Sequence, residues 1–372
     1  MVAVPTTAVK VTLKSSPRDF LAPQAEVAGK LHELFPPEID RRLMICKLAV
    51  TKAPERALAS RHVGRRDIAM DMKLQKVTAS MMNAVHDLPL LVARDEGFFR
   101  DEGLDVEILK TPGTGQHGSD HQALRDNIFQ RTMESLYEDG QCEQFRMCEW
   151  GIMKRAVESN LEDNHRVAKI VALGSAMSSF AIVTDPKSGI YEPEQLKNVP
   201  IAVSPYNGSH FTMLKMMEGF LKREDIKWAN AGTHKERLQA LRDGKVKAAS
   251  LQEPWISVAE AQGCRILIES RSTRSEAAGV ELDGPTLAKM FRAEARAAAA
   301  IDKNPEKYAH YLLEEAGGAI GARDLKLNRI LNAPPVPYTR ERFNDNYQWT
   351  LSWGLVPPGA TYENTVDNRA WQ

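Results

Sequence analysis

The sequence predicts an α/β protein of two lobes that ends in a helical segment, and three observations predict it. From residue 73 onward, short strand-like runs alternate with stretches of helical periodicity. The series runs once before and once after about residue 196, and beyond Leu287 only helical patterns remain. The boundaries that follow are a poorly packed extension over 1–72, the first part of lobe 1 over 73–195, lobe 2 over 196–270, and a return to lobe 1 with the carboxyl-terminal helices over 271–372.

Lys73 to Ser80 alternates as a strand does, and Asp87 to Phe99 then carries Leu88, Leu91, Val92 and Phe98 at helical spacing. Gly97 and Gly103 mark the exit before Leu104 to Leu109 alternates again. A polar loop from Thr111 to Asp120 leads into a long helix ending near Gly140. A strand at Gln144 to Cys148, a helix, and a strand over Val167 to Leu173 follow. The second series opens with Val199 to Val203, a strand stopped by Pro205 and Gly208. It continues with helices over Phe211 to Lys222 and Leu238 to Gly244, a strand over Val246 to Leu251, a helix over Ile256 to Gly263 and a strand over Arg265 to Ile268. Met290 to Asp302, Pro305 to Glu315 and Arg340 to Trp353 read as the closing helices. Strands separated by helices are expected to lie mostly parallel. Ligands of such sheets sit beyond the carboxyl ends of the strands, which here places a cleft between the lobes.

The 372 residues carry 49 Lys+Arg against 49 Asp+Glu, a net charge of zero, with 43% hydrophobic and 26% charged residues. That balance is globular, and it lacks the basic excess that would announce a nucleic-acid partner. Cys46, Cys142, Cys148 and Cys264 are too few and too scattered for a disulfide scaffold. The amino terminus has no apolar core of a secretory signal, and no stretch of roughly 18 uncharged apolar residues occurs, so no membrane span and cytoplasmic residence are the expectations. Pro5, Pro17, Pro23, Pro36, Pro37 and Pro54 punctuate the extension, where only Ala25 to Leu34 has helical spacing. It reads either as an accessory tail or as a start assigned too early, with initiation at Met70 or Met72.

Asp87-Leu88-Pro89-Leu90-Leu91-Val92-Ala93-Arg94-Asp95-Glu96-Gly97-Phe98-Phe99, with Gly103-Leu104-Asp105-Val106 behind it, resembles the opening helix and second strand of the NMT1/THI5-like family. That family includes nitrate-, sulfonate- and taurine-type solute-binding proteins of ABC importers. Tyr191 to Lys197, Leu241 to Val246 and Glu253-Pro254-Trp255 agree with it in order, over about residues 73 to 315. The resemblance implies a type II periplasmic-binding-protein fold hinged around a small ligand, with an ABC permease as partner if the chain is exported. The family also holds pyrimidine-precursor synthases and an aromatic desulfinase. This chain lacks the cysteine-rich motif of the former and has Ala84 where the latter carries its catalytic cysteine, so neither mechanism transfers.

Several constellations can carry chemistry. Asn207-Gly208-Ser209-His210 lies between a strand and a helix, where free N–H groups favour an anion; an N-cap alone would look the same. Gly113, Thr114 and His117 belong to a glycine-rich loop that can approach a ligand closely but lacks the Gly-Lys-Ser/Thr of a phosphate loop. His117 and His121 read as an exposed pair, and Cys142 and Cys148 lack a second pair, so no metal site is expected. Met147-Cys148-Glu149-Trp150 ends a strand at the cleft edge. Cys148 is a nucleophile if His86 or His210 approaches it and a structural thiol otherwise, Glu149 a general acid or base, and Trp150 a stacking platform or a hinge packing residue. Asn83 and His86 follow the first strand. Ser178 and Ser179 offer hydroxyls, Trp255 closes the cleft, and Glu253 binds a cationic group or sits at a turn. The function expected is recognition of a small anionic or aromatic organic molecule between the lobes, without a cofactor. The alternatives are a cytosolic enzyme of decarboxylase, lyase or desulfinase type using Cys148, Glu149, His86 and His210, and a cytosolic ligand sensor.

Overall fold

The structure is a computed structural model and describes residues 73–110, 133–161 and 165–372; the extension over 1–72 and the loop with Gly113, Thr114, His117 and His121 lie outside the described residues. In the first half, β1 (Gln75–Met81) and β2 (Leu104–Lys110) lie parallel, joined through α1 (Ala84–Asp95) and α2 (Phe98–Asp101). α3 (Met133–Glu138), β3 (Gln144–Cys148), α4 (Glu149–Leu161) and β4 (Lys169–Thr184) follow. The second half holds β5 (Pro200–Val203), α5 (Gly208–Met217), β6 (Lys227–Asn230), α6 (His234–Arg242), β7 (Ala248–Gln252), α7 (Trp255–Ala261) and β8 (Arg265–Ala278). α8 (Gly284–Lys303), α9 (Pro305–Glu315), β9 (Ile330–Asn332), α10 (Arg340–Ser352) and the short α11 (Tyr362–Thr365) follow.

The strands form one curled sheet in the order β2-β1-β3-β8-β4-β7-β5-β6, with β9 on β4. Its logic lies in two long antiparallel strands. β8 runs beside β3 over Arg274 to Ala278, and β4 runs beside β7 over Phe180 to Thr184. The two pair with each other from Lys169 and Ala278 to Thr184 and Arg265. Each therefore belongs to both halves, which repeat one strand order, β2-β1-β3-β8-β4 and β6-β5-β7-β4-β8. This is a two-lobed α/β architecture with two connecting strands at its waist, and the expected helical carboxyl-terminal segment is present.

The predicted strands at Val167 to Leu173 and Arg265 to Ile268 prove to be only the first stretches of β4 and β8. Register shifts between Ile170 and Ala172 and between Leu173 and Met177 interrupt the alternation of β4. Glu269 to Glu276 on β8 contains no apolar residue, and its inward side chains bury in ion pairs instead. Arg146 contacts Glu276 at 2.8 Å and Glu294 at 2.6 Å, and Arg274 contacts Asp87 at 3.2 Å. Gln144 donates to Glu276 at 2.9 Å and Ser175 to Glu294 at 2.7 Å. Three buried carboxyls thus face two guanidinium groups, and burial pushes both Asp87 and Glu294 up to about 7.

Outside the sheet, Leu287, Met290, Ala293 and Ala297 of α8 share one buried cluster with Leu88, Leu91 and Val92 of α1. α10 serves both halves. Phe343 and Tyr347 join the cluster around Met153 and Val157, while Trp349 joins that around Phe211 and Met213. The indoles of Trp349 and Trp353 donate to Glu218 at 2.7 and 2.8 Å. Among the described residues, no helix is long and apolar enough to cross a membrane.

Candidate functional site

A cavity lies where the carboxyl ends of the strands of both halves converge, the position that open α/β sheets favour for ligands. Met82 and His86 reach it from the β1–α1 junction, Met147 and Cys148 from the end of β3, and Phe180 from β4. Asn207, Gly208 and Ser209 come from the head of α5, His234 from the head of α6 and Gln252 from the end of β7. The cavity is about 30 Å³, room for about two waters. Neither a carboxylate nor a Lys or Arg is among these lining residues.

Each lining group has a local cause. Asn83 caps α1, accepting from His86 N at 3.0 Å, and its amide donates to Gln252 at 3.4 Å, a link from one half to the other. His86 Nδ1 lies 3.0 Å from Ser178 Oγ, which holds the imidazole at the base of the cleft. Tyr206 takes a left-handed backbone, φ 57°, and its N–H donates to His210 Nδ1 at 3.1 Å. Asn207 then caps α5, accepting from Ser209 N at 3.0 Å and Ser209 Oγ at 2.7 Å. Gly208 is needed for contact: a Cβ there would sit 3.0 Å from Phe180 Cζ and 3.3 Å from Cys148 Cβ. Burial, helped by the Arg237 charge, holds the His234 imidazole well below its usual range, so it presents a neutral ring.

The structure thus brings His86, Cys148, Asn207, Gly208 and Ser209 together, with Asn83 and Ser178 directly behind them. It places the other candidates elsewhere. Ser179 points to the opposite face of β4, donating to Arg329 O at 3.1 Å, because successive strand residues alternate. Glu149 is engaged by Tyr338 Oη at 2.8 Å, Arg342 Nη2 at 2.6 Å and Asn346 Nδ2 at 2.5 Å, and clamps α10 to α4. Trp150 donates to Asn346 at 3.0 Å and packs 5.5 Å from Trp349. His210 turns into the second core, its ring 4.6 Å from Trp228. Glu253 accepts from Ser257 Oγ at 3.1 Å and contacts Arg329 at 3.3 Å, while burial pushes its carboxyl up. Trp255 lines a different cavity of about 320 Å³, between α6, α7 and the end of α9, together with Lys235, Gln239 and Glu315.

Sequence reasoning missed Met82, His234 and Gln252. The signal for His234 is Thr233-His234-Lys235-Glu236, a capping box in which Glu236 accepts from Thr233 N at 2.7 Å and Thr233 accepts from Glu236 N at 3.3 Å. It starts α6 four residues before the expected Leu238 and sets His234 on the cleft edge. Gln252 lies one residue beyond the expected end of its strand.

The strand order, the waist and the cleft are those of the periplasmic-binding-protein fold, and solved structures agree. The alkanesulfonate-binding protein SsuA from Xanthomonas axonopodis pv. citri, bound to MOPS, matches with a TM-score of 0.58 and 13% identity over 77% of this chain and 95% of that one. The periplasmic nitrate-binding protein NrtA from Synechocystis PCC 6803 matches with a TM-score of 0.59 and 12% identity over 80% and 88%. A Candida albicans gene product described as having the generic periplasmic binding protein structural fold matches with a TM-score of 0.56 and 12% identity over 80% and 97%. No protein-family profile matches the chain, and no curated protein matches it.

Proposed function

We propose that the protein binds a small organic molecule in the cleft between its two halves and closes on it about β4 and β8. The observation that carries this reading is the convergence of six elements, three from each half or its connecting strand, on one cavity with hydrogen-bonding and aromatic walls. Its lining favours the aromatic side of the expected ligand. Phe180, His86 and a neutral His234 offer ring faces, Met82 and Met147 offer adaptable thioether contacts, and the head of α5 receives a polar or anionic end. The fold suits delivery to an ABC-type permease if the chain is exported; cytoplasmic residence, the expectation from the sequence, suits a sensor that needs none.

A second reading, an enzyme on the same scaffold, is favoured by one observation: the Cys148 thiol shares the cavity with the imidazoles of His86 and His234. A thermal-shift screen of small acids and aromatics, followed by mass analysis of each stabilising compound after incubation, separates the two. Recovery of the compound unchanged supports binding, and conversion that Cys148→Ala abolishes supports the enzyme. If Cys148→Ala and Asn207→Ala both leave stabilisation by a confirmed ligand intact, the cleft assignment is wrong.

A further inference from the structure

The larger cavity, about 320 Å³, lies apart from the cleft and takes its walls from both halves. Lys235 and Leu238 of α6 and Trp255 at the start of α7 belong to the second half. Glu315, Ala316 and Ala319 come from the end of α9 and the turn after it, and α9 packs on α1 of the first half. The volume suits a small organic molecule. Trp255, Leu238, Ala316 and Ala319 offer it apolar surface, Glu315 a negative charge and the exposed Lys235 a positive one. Neither charge forms an ion pair with the other or with any other described residue. Glu315 Oε2 accepts from Ala84 N at 2.7 Å, whereas Oε1 accepts no hydrogen bond among the described residues. Burial pushes this carboxyl up to about 7, opposed by the Ala84 N–H and the Lys110 charge and aided by the Asp87 charge. A carboxylate taken this far out of water without a cation beside it gains when one arrives.

We propose that this cavity is a second ligand site, for a small zwitterion of the amino-acid class, whose ammonium group pairs with Glu315, whose carboxylate pairs with Lys235 and whose apolar body lies against Trp255. The two unpaired charges select that class. A simple cation meets Glu315 but also the like charge of Lys235, and a simple anion meets the reverse; a molecule carrying both charges satisfies both. The Trp255 ring adds an apolar face that also attracts an ammonium group. The site does not rest on the cleft as a ligand site, because neither Glu315 nor Lys235 lines the cleft cavity.

L-Phenylalanine is the probe, with phenethylamine, which lacks the carboxylate, and 3-phenylpropanoate, which lacks the ammonium group. Each is titrated at pH 8, where the Glu315 carboxyl is ionised, into the full chain with isotopically labelled methyl groups. The methyls of Ala316 and Ala319 report on this cavity and those of Met82 and Met147 on the cleft. In the wild type, phenylalanine is expected to move the Ala316 and Ala319 signals saturably below about 10 mM, at least about threefold more tightly than either relative. Glu315→Gln keeps an acceptor for Ala84 N and removes the charge. It is expected to weaken phenylalanine and phenethylamine at least about tenfold and to leave 3-phenylpropanoate no weaker. Lys235→Ala changes an exposed side chain and is expected to weaken phenylalanine and 3-phenylpropanoate about threefold while sparing phenethylamine; it carries the test if Glu315→Gln does not fold. Silence at Ala316 and Ala319 in the wild type, equal binding of all three compounds, or an equal loss of all three in a folded variant overturns the proposal. Movement at Met82 and Met147 alone puts the compound in the cleft, which also overturns the proposal and leaves the cleft reading standing.

Discussion

Glu294→Gln tests whether the buried ion network holds one surplus proton. Asp87, Glu276 and Glu294 face Arg146 and Arg274, and each of the five is at most 2% exposed. Three carboxylates against two guanidinium groups balance only when one carboxyl is protonated, and burial pushes Glu294 from 4.5 and Asp87 from 3.8 up to about 7. A carboxyl raised in the folded state keeps its proton where the unfolded chain has lost it. The folded form then binds more protons between about pH 4.5 and 7, and stability falls as pH rises through that window. At about 1.36 kcal/mol per pH unit, the Glu294 shift amounts to about 3 kcal/mol, lost by pH 8 and retained at pH 5. The amide introduced by Glu294→Gln mimics the protonated carboxyl and leaves two charges against two. Denaturant unfolding of wild type and variant at pH 5 and pH 8 should give near parity at pH 5 and a variant more stable by up to about 3 kcal/mol at pH 8. Taking the difference removes the surface carboxylates common to both proteins. A variant weaker by the same about 3 to 5 kcal/mol at both pH values, the ordinary cost of breaking a buried pair, would refute the reasoning.

Three further outcomes follow from the contacts. Gly208→Ala places a methyl group 3.0 Å from Phe180 Cζ and should abolish ligand-induced thermal stabilisation while lowering unfolding free energy by about 1 to 3 kcal/mol; a ligand shift equal to that of wild type would contradict it. Glu149→Ala breaks the clamp on Tyr338, Arg342 and Asn346 and should lower stability by about 2 to 4 kcal/mol in denaturant titration, yet the folded variant should keep its affinity for a cleft ligand, because Glu149 does not line the cavity. Glu218→Ala strips the acceptor from both the Trp349 and Trp353 indoles and should cost about 1 to 3 kcal/mol; no change in the unfolding midpoint would mean that α10 is held without them.

The sequence by itself determined the alternation of strand and helix, the division into two series, and most of the β-to-α junctions from which the cleft is built. Local patterning reports these directly: the stop at Pro205 and Gly208 marks the β5–α5 turn, and Asp87 to Phe99 marks α1 to within its first turn and its exit. Cys148, His86 and Asn207 to Ser209 were legible as residues of the cleft edge because a strand end followed by a helix head is a local feature with a known place in such folds. Only the tertiary structure decided that β4 and β8 run through both halves, because the partners of Arg274 and Glu276 lie more than a hundred residues away and leave no apolar rhythm on the strand itself. It alone decided which polar groups are already spoken for. Glu149 and Glu253 read as chemistry in one dimension, yet in three dimensions each spends its carboxylate on neighbours that fix the fold, and His210 gives its Nδ1 to the Tyr206 N–H. Glu315 is the converse case, an unremarked residue at the end of a helix until folding sets it on the Ala84 N–H. The physical reason is common to all of these: periodicity and capping act over a few residues, whereas satisfaction of a buried charge depends on whatever the fold places beside it.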